Sequence, residues 1–271
     1  GIVGNDRLPT RYGHLGTYAF SNYNGASAAY PNNVPNPDLK WEEKEILDVG
    51  VDFGLFNNRL RGVVNYFQSK TTDLLFLENL PQSSGEPGSP ASRYVNFGDL
   101  SSQGLEVELS GDIIKNENFL WNLSGTIAFV KNKVDRLPGG ADYIPSGYDL
   151  ILQEGEELYN SYLVRYAGVN PANGRALYYD KNDNITENWS GDDAVALKGK
   201  TPSPDFDGSF TSLIKYNGIN LSANFYYKYG NYIYNNQEQQ HLSDGTSVRG
   251  NQRLDAFNFW RNPGDTNVLP D

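Results

Sequence analysis

The 271-residue chain has no cysteine, no methionine and only two histidines. Without cysteine there is no disulfide framework and no thiolate chemistry. The compartment stays open, since a protein in an oxidising compartment need not use disulfides. Without methionine even at position 1, the sequence reads as an excised or processed piece rather than a primary translation product. Positive charge is scarce. The 22 Lys and Arg against 33 Asp and Glu leave a net charge of −11, so the basic face that nucleic acid requires is missing. No signal peptide is visible, and no apolar run approaches the roughly 20 residues of a membrane helix. Membrane-crossing β-strands escape that exclusion, because about 9–11 alternating residues suffice.

What is abundant points to β-structure: 19 Tyr, 13 Phe and 28 Gly, with many Asn and Asp suited to turns. The most ordered stretch is Asn36–Lys70. Leu47, Val49, Val51, Phe53 and Leu55 alternate with Asp48, Gly50, Asp52 and Gly54, the period of a strand with one oily and one polar face. After Asn57-Asn58 the parity flips to Leu60, Gly62, Val64 and Tyr66. A two-residue loop at 57 and 58 pairs residues whose numbers sum to 115, which sets Leu55 opposite Leu60 and Val51 opposite Val64.

The same test predicts two more hairpins. Leu105, Val107, Leu109 and Ile113 keep their parity across Asn116-Glu117-Asn118 into Phe119, Trp121, Leu123, Ile127 and Phe129. A three-residue loop with pairs summing to 234 then sets Ile113 opposite Trp121. Phe210, Ile214 and Tyr216 meet Ile219, Leu221, Phe225 and Tyr227 across Asn217-Gly218, with pairs summing to 435. The hairpins span about 44–70, 102–130 and 207–229. Long connections fill 71–101 and 131–206, the latter with one or two small hairpins around the run Arg175–Tyr179. One short strand is expected at Leu15–Tyr23, and 230–271 reads mostly as loop.

Tight turns at one end, long connections at the other and alternating strands are the plan of an outer-membrane barrel. Aromatic residues near both strand ends (Phe53, Phe119, Trp121 and Tyr216; Trp41, Tyr66, Phe129, Tyr227 and Tyr229) would serve as interfacial belts. A secreted, soluble β protein with one packed face, binding glycans and having no transport role, gives the same alternation. The residues alone leave both open.

The string NPDLKWEEKEILDVGVDFGLFNNRLRGVVNYFQSKTTDLL resembles the late-barrel segment of SusC/RagA-type TonB-dependent transporters. Further segments are similar and in the same order: Val95-Asn-Phe-Gly-Asp99, Gln103-Gly-Leu-Glu-Val-Glu-Leu109, Trp121-Asn-Leu-Ser-Gly125 with Lys131-Asn-Lys-Val134, Tyr166-Ala-Gly-Val-Asn-Pro171 with Ala176-Leu-Tyr-Tyr-Asp180, Thr201–Phe210, and Tyr229-Gly-Asn-Tyr232. The resemblance implies an all-β chain of antiparallel up-and-down hairpins, a fragment of a large transmembrane barrel with long extracellular loops. Residues 1–271 would be one partial barrel region, without the plug domain and short of closing strands. It also implies a bacterial outer-membrane location, a TonB complex, a SusD-like surface lipoprotein, and import of oligosaccharides or oligopeptides.

Catalytic, metal and cofactor roles find little support. His14 and His241 lie in loop-like sequence with no orienting carboxylate indicated. Asp180-Lys-Asn-Asp-Asn184 starts like a calcium loop, but Ile185 stands where glycine should and Gly191 where glutamate should, so a plain turn is expected. Asp48, Asp52, Glu106, Glu108, Asn122 and Asn224 are candidates for a hydrated lumen rather than for paired catalytic acids. Tyr143, Tyr148, Tyr159 and Tyr162 are candidate ligand contacts in the loops. No enzyme activity and no cofactor are expected.

Overall fold

The computed structural model describes residues 2–5, 14–16, 18–31, 34–81, 83, 92–137, 142, 149–242, 250–266 and 268–270. The chain divides into two compact units. The first comprises Gly1–Asp142, Gln153–Glu157 and Pro204–Gly230; the second comprises Tyr143–Leu152, Leu158–Ser203 and Asn231–Asp271.

In chain order the strands begin with β1 (Ile2–Asn5), then β2 (Tyr18–Tyr23) and β3 (Ala26–Pro31), which pair as a hairpin. Asn24 and Gly25 at its turn have φ of 51° and 80°. They form an Asn-Gly turn of the type that matches strand twist, so the single short strand expected here is in fact a hairpin. Next come β4 (Glu42–Leu55) and β5 (Leu60–Thr72), a hairpin of β6 (Leu75–Asn79) and β7 (Ser92–Asn96), then β8 (Asp99–Lys115) and β9 (Phe119–Arg136). The second unit holds β10 (Leu150–Ile151), β11 (Asn160–Leu163), β12 (Arg165–Val169), β13 (Ala176–Tyr179), β14 (Ile185–Thr186) and β15 (Val195–Leu197). β16 (Phe206–Tyr216) and β17 (Ile219–Tyr229) return to the first unit, and a short helix α1 (Asn236–His241) follows in the second.

Among the described residues, seven strands make one antiparallel sheet in the order β1-β4-β5-β8-β9-β16-β17. The β4–β5 register pairs Leu55 with Leu60, Val51 with Val64 and Val49 with Tyr66, as the alternation requires. Its turn has Phe56, Asn57 and Asn58 all left-handed, at φ of 54°, 56° and 61°, closed by the Arg59 N–H donating to the Phe56 carbonyl at 3.2 Å. The β16–β17 register likewise runs from Phe206–Tyr229 to Tyr216–Ile219.

The middle hairpin differs at its tip. Pairs from Leu105–Phe129 to Asp112–Asn122 follow the expected register, then a bulge shifts the ladder and Trp121 pairs with Ile114, not Ile113. The Asn116 N–H donates to the Phe119 carbonyl at 2.9 Å, so the loop itself is the two residues Glu117 and Asn118. Parity demanded one extra residue, and the strand supplies it as a bulge at Ile113 while the turn stays short.

Glycines let this sheet carry aromatic side chains flat against it. A Cβ on Gly62 would overlap the ring of Phe53 on the neighbouring strand, and one on Gly104 would overlap Phe67. In the second unit, β10-β11-β15 and β12-β13-β14 form two small sheets. Their strands run two to five residues, too short to show a convincing period in sequence.

Candidate functional site

The broad sheet of the first unit has two chemically opposite faces. Cross-strand register sets Asp52, Val63, Glu108, Thr126, Ser209 and Tyr226 in one row. Asp48, Asp52, Glu106, Glu108, Asn122 and Asn224 all belong to that face by parity. Its polar groups are tied laterally. Asn122 Nδ2 donates to Asp112 Oδ1 at 2.8 Å and to Ser110 Oγ at 3.3 Å, and the Thr211 hydroxyl donates to Asn224 Oδ1 at 2.9 Å. Tyr226 donates to Asp207 Oδ2 at 3.0 Å. The carboxylates stand in open rows: Asp52 and Glu108 are two strands apart, about 10 Å. Asp52 and Glu108 share one open depression with Arg61, but at that strand spacing they do not form a paired acid and base.

The opposite face is apolar. Val51, Val64, Val107, Ile127, Gly208 and Tyr227 form its middle row. Among the described residues nothing covers it, and Val49 and Val51 are 58% and 61% exposed. Leaving one such aliphatic side chain in water forgoes about 1.5–3 kcal/mol relative to burial, so a continuous uncovered row demands an apolar surrounding. Aromatic residues bracket it. Phe119 and Tyr216 lie near the tight turns with centroids 6.3 Å apart. At the other end Phe206 stacks on Tyr229 at 5.2 Å and meets Phe129 at 5.8 Å. Here the Tyr227 hydroxyl donates to the Thr126 carbonyl at 2.8 Å, which satisfies its polar tip within the wall.

Several of the sequence segments singled out above act as fasteners where the chain leaves the sheet. The Asn36 amide donates to the Tyr94 carbonyl at 2.8 Å. The Asn96 carboxamide accepts the Lys40 N–H and donates to the carbonyls of Lys40 and Asp73 at 2.8 and 2.9 Å. Glu42 accepts the Leu75 N–H at 2.9 Å. Asp99 pairs with Arg136 at 3.1 Å. In the second unit, Glu187 gathers the amides of Asn170 and Asn173 at 2.6 and 2.9 Å, with Arg175 at 3.4 Å. Hydrogen bonds from Asn173 and Asn170, aided by Arg175, hold its carboxyl below the ordinary range against a smaller opposing effect of desolvation.

Asp180 behaves as the centre of a turn. Its carboxylate accepts the N–H groups of Asn182 and Asn184 and the Asn184 amide, which occupies the oxygens a cation would need. Tyr159 is exposed with φ of 61°, and Tyr162 is half-buried in β11 opposite Ala196. Tyr143 and Tyr148 lie outside the described residues. His14 is exposed, and His241 ends α1. What the sequence did not disclose is a cavity of about 980 Å3 in the second unit, set between β10-β11-β15 and Tyr232–Gln239. Its lining comes from segments distant in sequence and carries no local period.

No helix among the described residues is long and apolar enough to cross a membrane, which says nothing of strands. The family described as "TonB dependent receptor-like, beta-barrel" matches residues 9–151, just over half of the chain. Among proteins, "TonB-dependent receptor P3" of Formosa agariphila is 32% identical over 252 residues, covering 86% of this chain and 24% of that protein. "TonB-dependent receptor SusC" of Bacteroides thetaiotaomicron is 28% identical, covering 86% of this chain and 25% of its own length. Among solved structures, the RagAB peptide transporter superposes with a TM-score of 0.88 at 25% identity, over 100% of this chain and 30% of that one. The chain thus spans about a quarter of the length of the relatives it matches. The two-faced sheet, the fastening motifs and these matches together show that the chain belongs to the TonB-dependent receptor β-barrel family of the bacterial outer membrane, among relatives of SusC/RagA type.

Proposed function

We propose that this chain is a section of the wall of a TonB-dependent outer-membrane transporter, non-enzymatic, that imports oligosaccharides or oligopeptides with a SusD-like lipoprotein. One observation carries the reading: a sheet whose uncovered apolar face is framed by aromatic rows and whose other face is polar and hydrogen-bonded. Lipid would receive the first and a water-filled lumen the second. Strands of 11 to 18 residues in β4, β5, β8, β9, β16 and β17 reach the length such a crossing needs. In this reading Asn57-Asn58, Glu117-Asn118 and Asn217-Gly218 turn on the periplasmic side. Asp48, Asp52, Glu106, Glu108, Asn122 and Asn224 line the lumen, and Tyr143, Tyr148, Tyr159 and Tyr162 are the candidate ligand contacts. The fold match to the RagAB peptide transporter supports the peptide class and a partner protein, and the oligosaccharide class rests on the resemblance to SusC-type sequences.

The test is uptake in cells. Deleting the gene for the full-length protein should abolish import of a labelled oligosaccharide or oligopeptide, and restoring it should recover import. Uptake unchanged across a panel of both classes would sink the reading.

A further inference from the structure

We infer that the cavity of the second unit binds the carboxylate end of a short oligopeptide with apolar side chains, an inference that rests on the transporter reading and sharpens its substrate class. The floor follows from register. Leu150, Ser161 and Leu197 form one cross-strand row over β10, β11 and β15, and Leu163 lies two residues along β11 on the same face. The facing wall is Tyr232–Tyr234, with Ile233 78% exposed and lining the cavity. A branched aliphatic floor shapes a pocket for a side chain, whereas a sugar presses a flat face on an aromatic ring and needs a partner for each hydroxyl. Two of the amides in the lining are already engaged. The Gln239 Oε1 already accepts the Tyr234 hydroxyl at 2.6 Å, and Asn235 is spent on capping α1, where its Oδ1 accepts the Glu238 N–H at 3.1 Å.

The charged handle is Lys200. Its ammonium donates to the Tyr232 hydroxyl at 2.6 Å and lies 4.0 Å from the ring centroid. Its backbone is clamped on both sides. The Lys200 carbonyl accepts both the N–H and the hydroxyl of Ser161 at 2.8 Å, and the Gly199 N–H donates to buried Asn160 at 2.9 Å. Buried Thr201 donates to the Leu158 carbonyl at 2.7 Å. A cation held ready over an apolar floor fits a carboxylate flanked by apolar side chains, at little ordering cost. Asp149, which also lines the cavity, offers an acceptor to the N–H groups of a peptide.

The experiment uses the purified full-length protein in detergent and fluorescein-labelled Ala-Ala-Leu-Leu, as the free acid and as the C-terminal amide. The acid should bind about tenfold tighter than the amide. Lys200→Met should erase that preference and Lys200→Arg should keep it. Ile233→Asp, at an exposed position that folding does not need, should weaken both forms by about tenfold. Equal binding of acid and amide, an undiminished preference in Lys200→Met, or displacement of the peptide by maltoheptaose would overturn the assignment. Cells that import peptide through a protein whose binding ignores these variants would disprove the cavity assignment and leave the transporter standing. Binding as expected without any effect of gene deletion on uptake would do the reverse.

Discussion

Asn96 fixes three backbone groups with one carboxamide, joining the Lys40 segment to the start of the β6–β7 excursion. The two bonds to Lys40 are exposed and the one to Asp73 is part-buried, so losing the carboxamide costs about 0.5–1.5 kcal/mol. Asn96→Ala should therefore speed amide hydrogen exchange at Lys40–Trp41 and Asp73–Leu75 while leaving the distant β16–β17 ladder unaffected; unchanged exchange in both regions would show the bonds to be incidental. Glu187 gives a pH-dependent counterpart. Its folded pKa is depressed, so its contribution is present above the ordinary carboxylate range and is lost as pH falls through the folded value. Protection of the Asn170–Arg175 turn amides, corrected for the intrinsic slowing of exchange in acid, should fall on acidification, and Glu187→Gln should flatten that dependence. A wild-type profile already flat would contradict the sign. Neither role was readable beforehand. Asn96 and Glu187 reach partners 56 and up to 17 residues away, and no local pattern marks a side chain that pairs at such distance.

At the scale of elements, a hairpin needs both its faces and its turn in agreement. The β8–β9 tip tests this. Ile113 is the extra residue of a bulge, so deleting it should join Asp112 to Ile114 in the unshifted ladder and leave every other pair in place. Deleting Val107 should turn the strand over from that point and send charged residues to the apolar face. Heat-modifiable migration of the full-length protein should survive the first deletion and be lost with the second; equal outcomes would refute the register. The β4–β5 turn depends on residues that tolerate left-handed backbone. Asn58→Val, with a branched side chain at φ of 61°, should cost about 1–2 kcal/mol in urea unfolding, and Asn58→Gly should not.

For the whole molecule, the two faces should respond oppositely to charge. Val64→Arg, at mid-row of the apolar face, should cost about 2–4 kcal/mol in lipid vesicles. Thr126→Arg, on the polar face, should cost far less. Similar losses for both would mean that lipid does not contact the apolar side. The broad sheet was legible because each of its hairpins repeats the same alternation over many residues, and its turns at Asn57-Asn58 and Asn217-Gly218 have chemistry that fixes register. The β2–β3 hairpin was harder to see. Its Asn24-Gly25 turn is explicit, yet the flanking strands carry Ser, Ala and Asn where an oily row would have announced them.

The sequence by itself determined the six long strands β4, β5, β8, β9, β16 and β17, their faces and most of their register, because period-two alternation and turn residues are local properties of the backbone. The resemblance carried by its motifs set the family. Tertiary structure alone decided where the odd residue of the middle hairpin went, since parity constrains a count and not its position. It also decided what the motif residues hold. And it gathered the Leu150, Leu163 and Leu197 floor with Lys200 and Ile233 into one cavity, because these side chains come from four separated segments that only pairing and packing bring together.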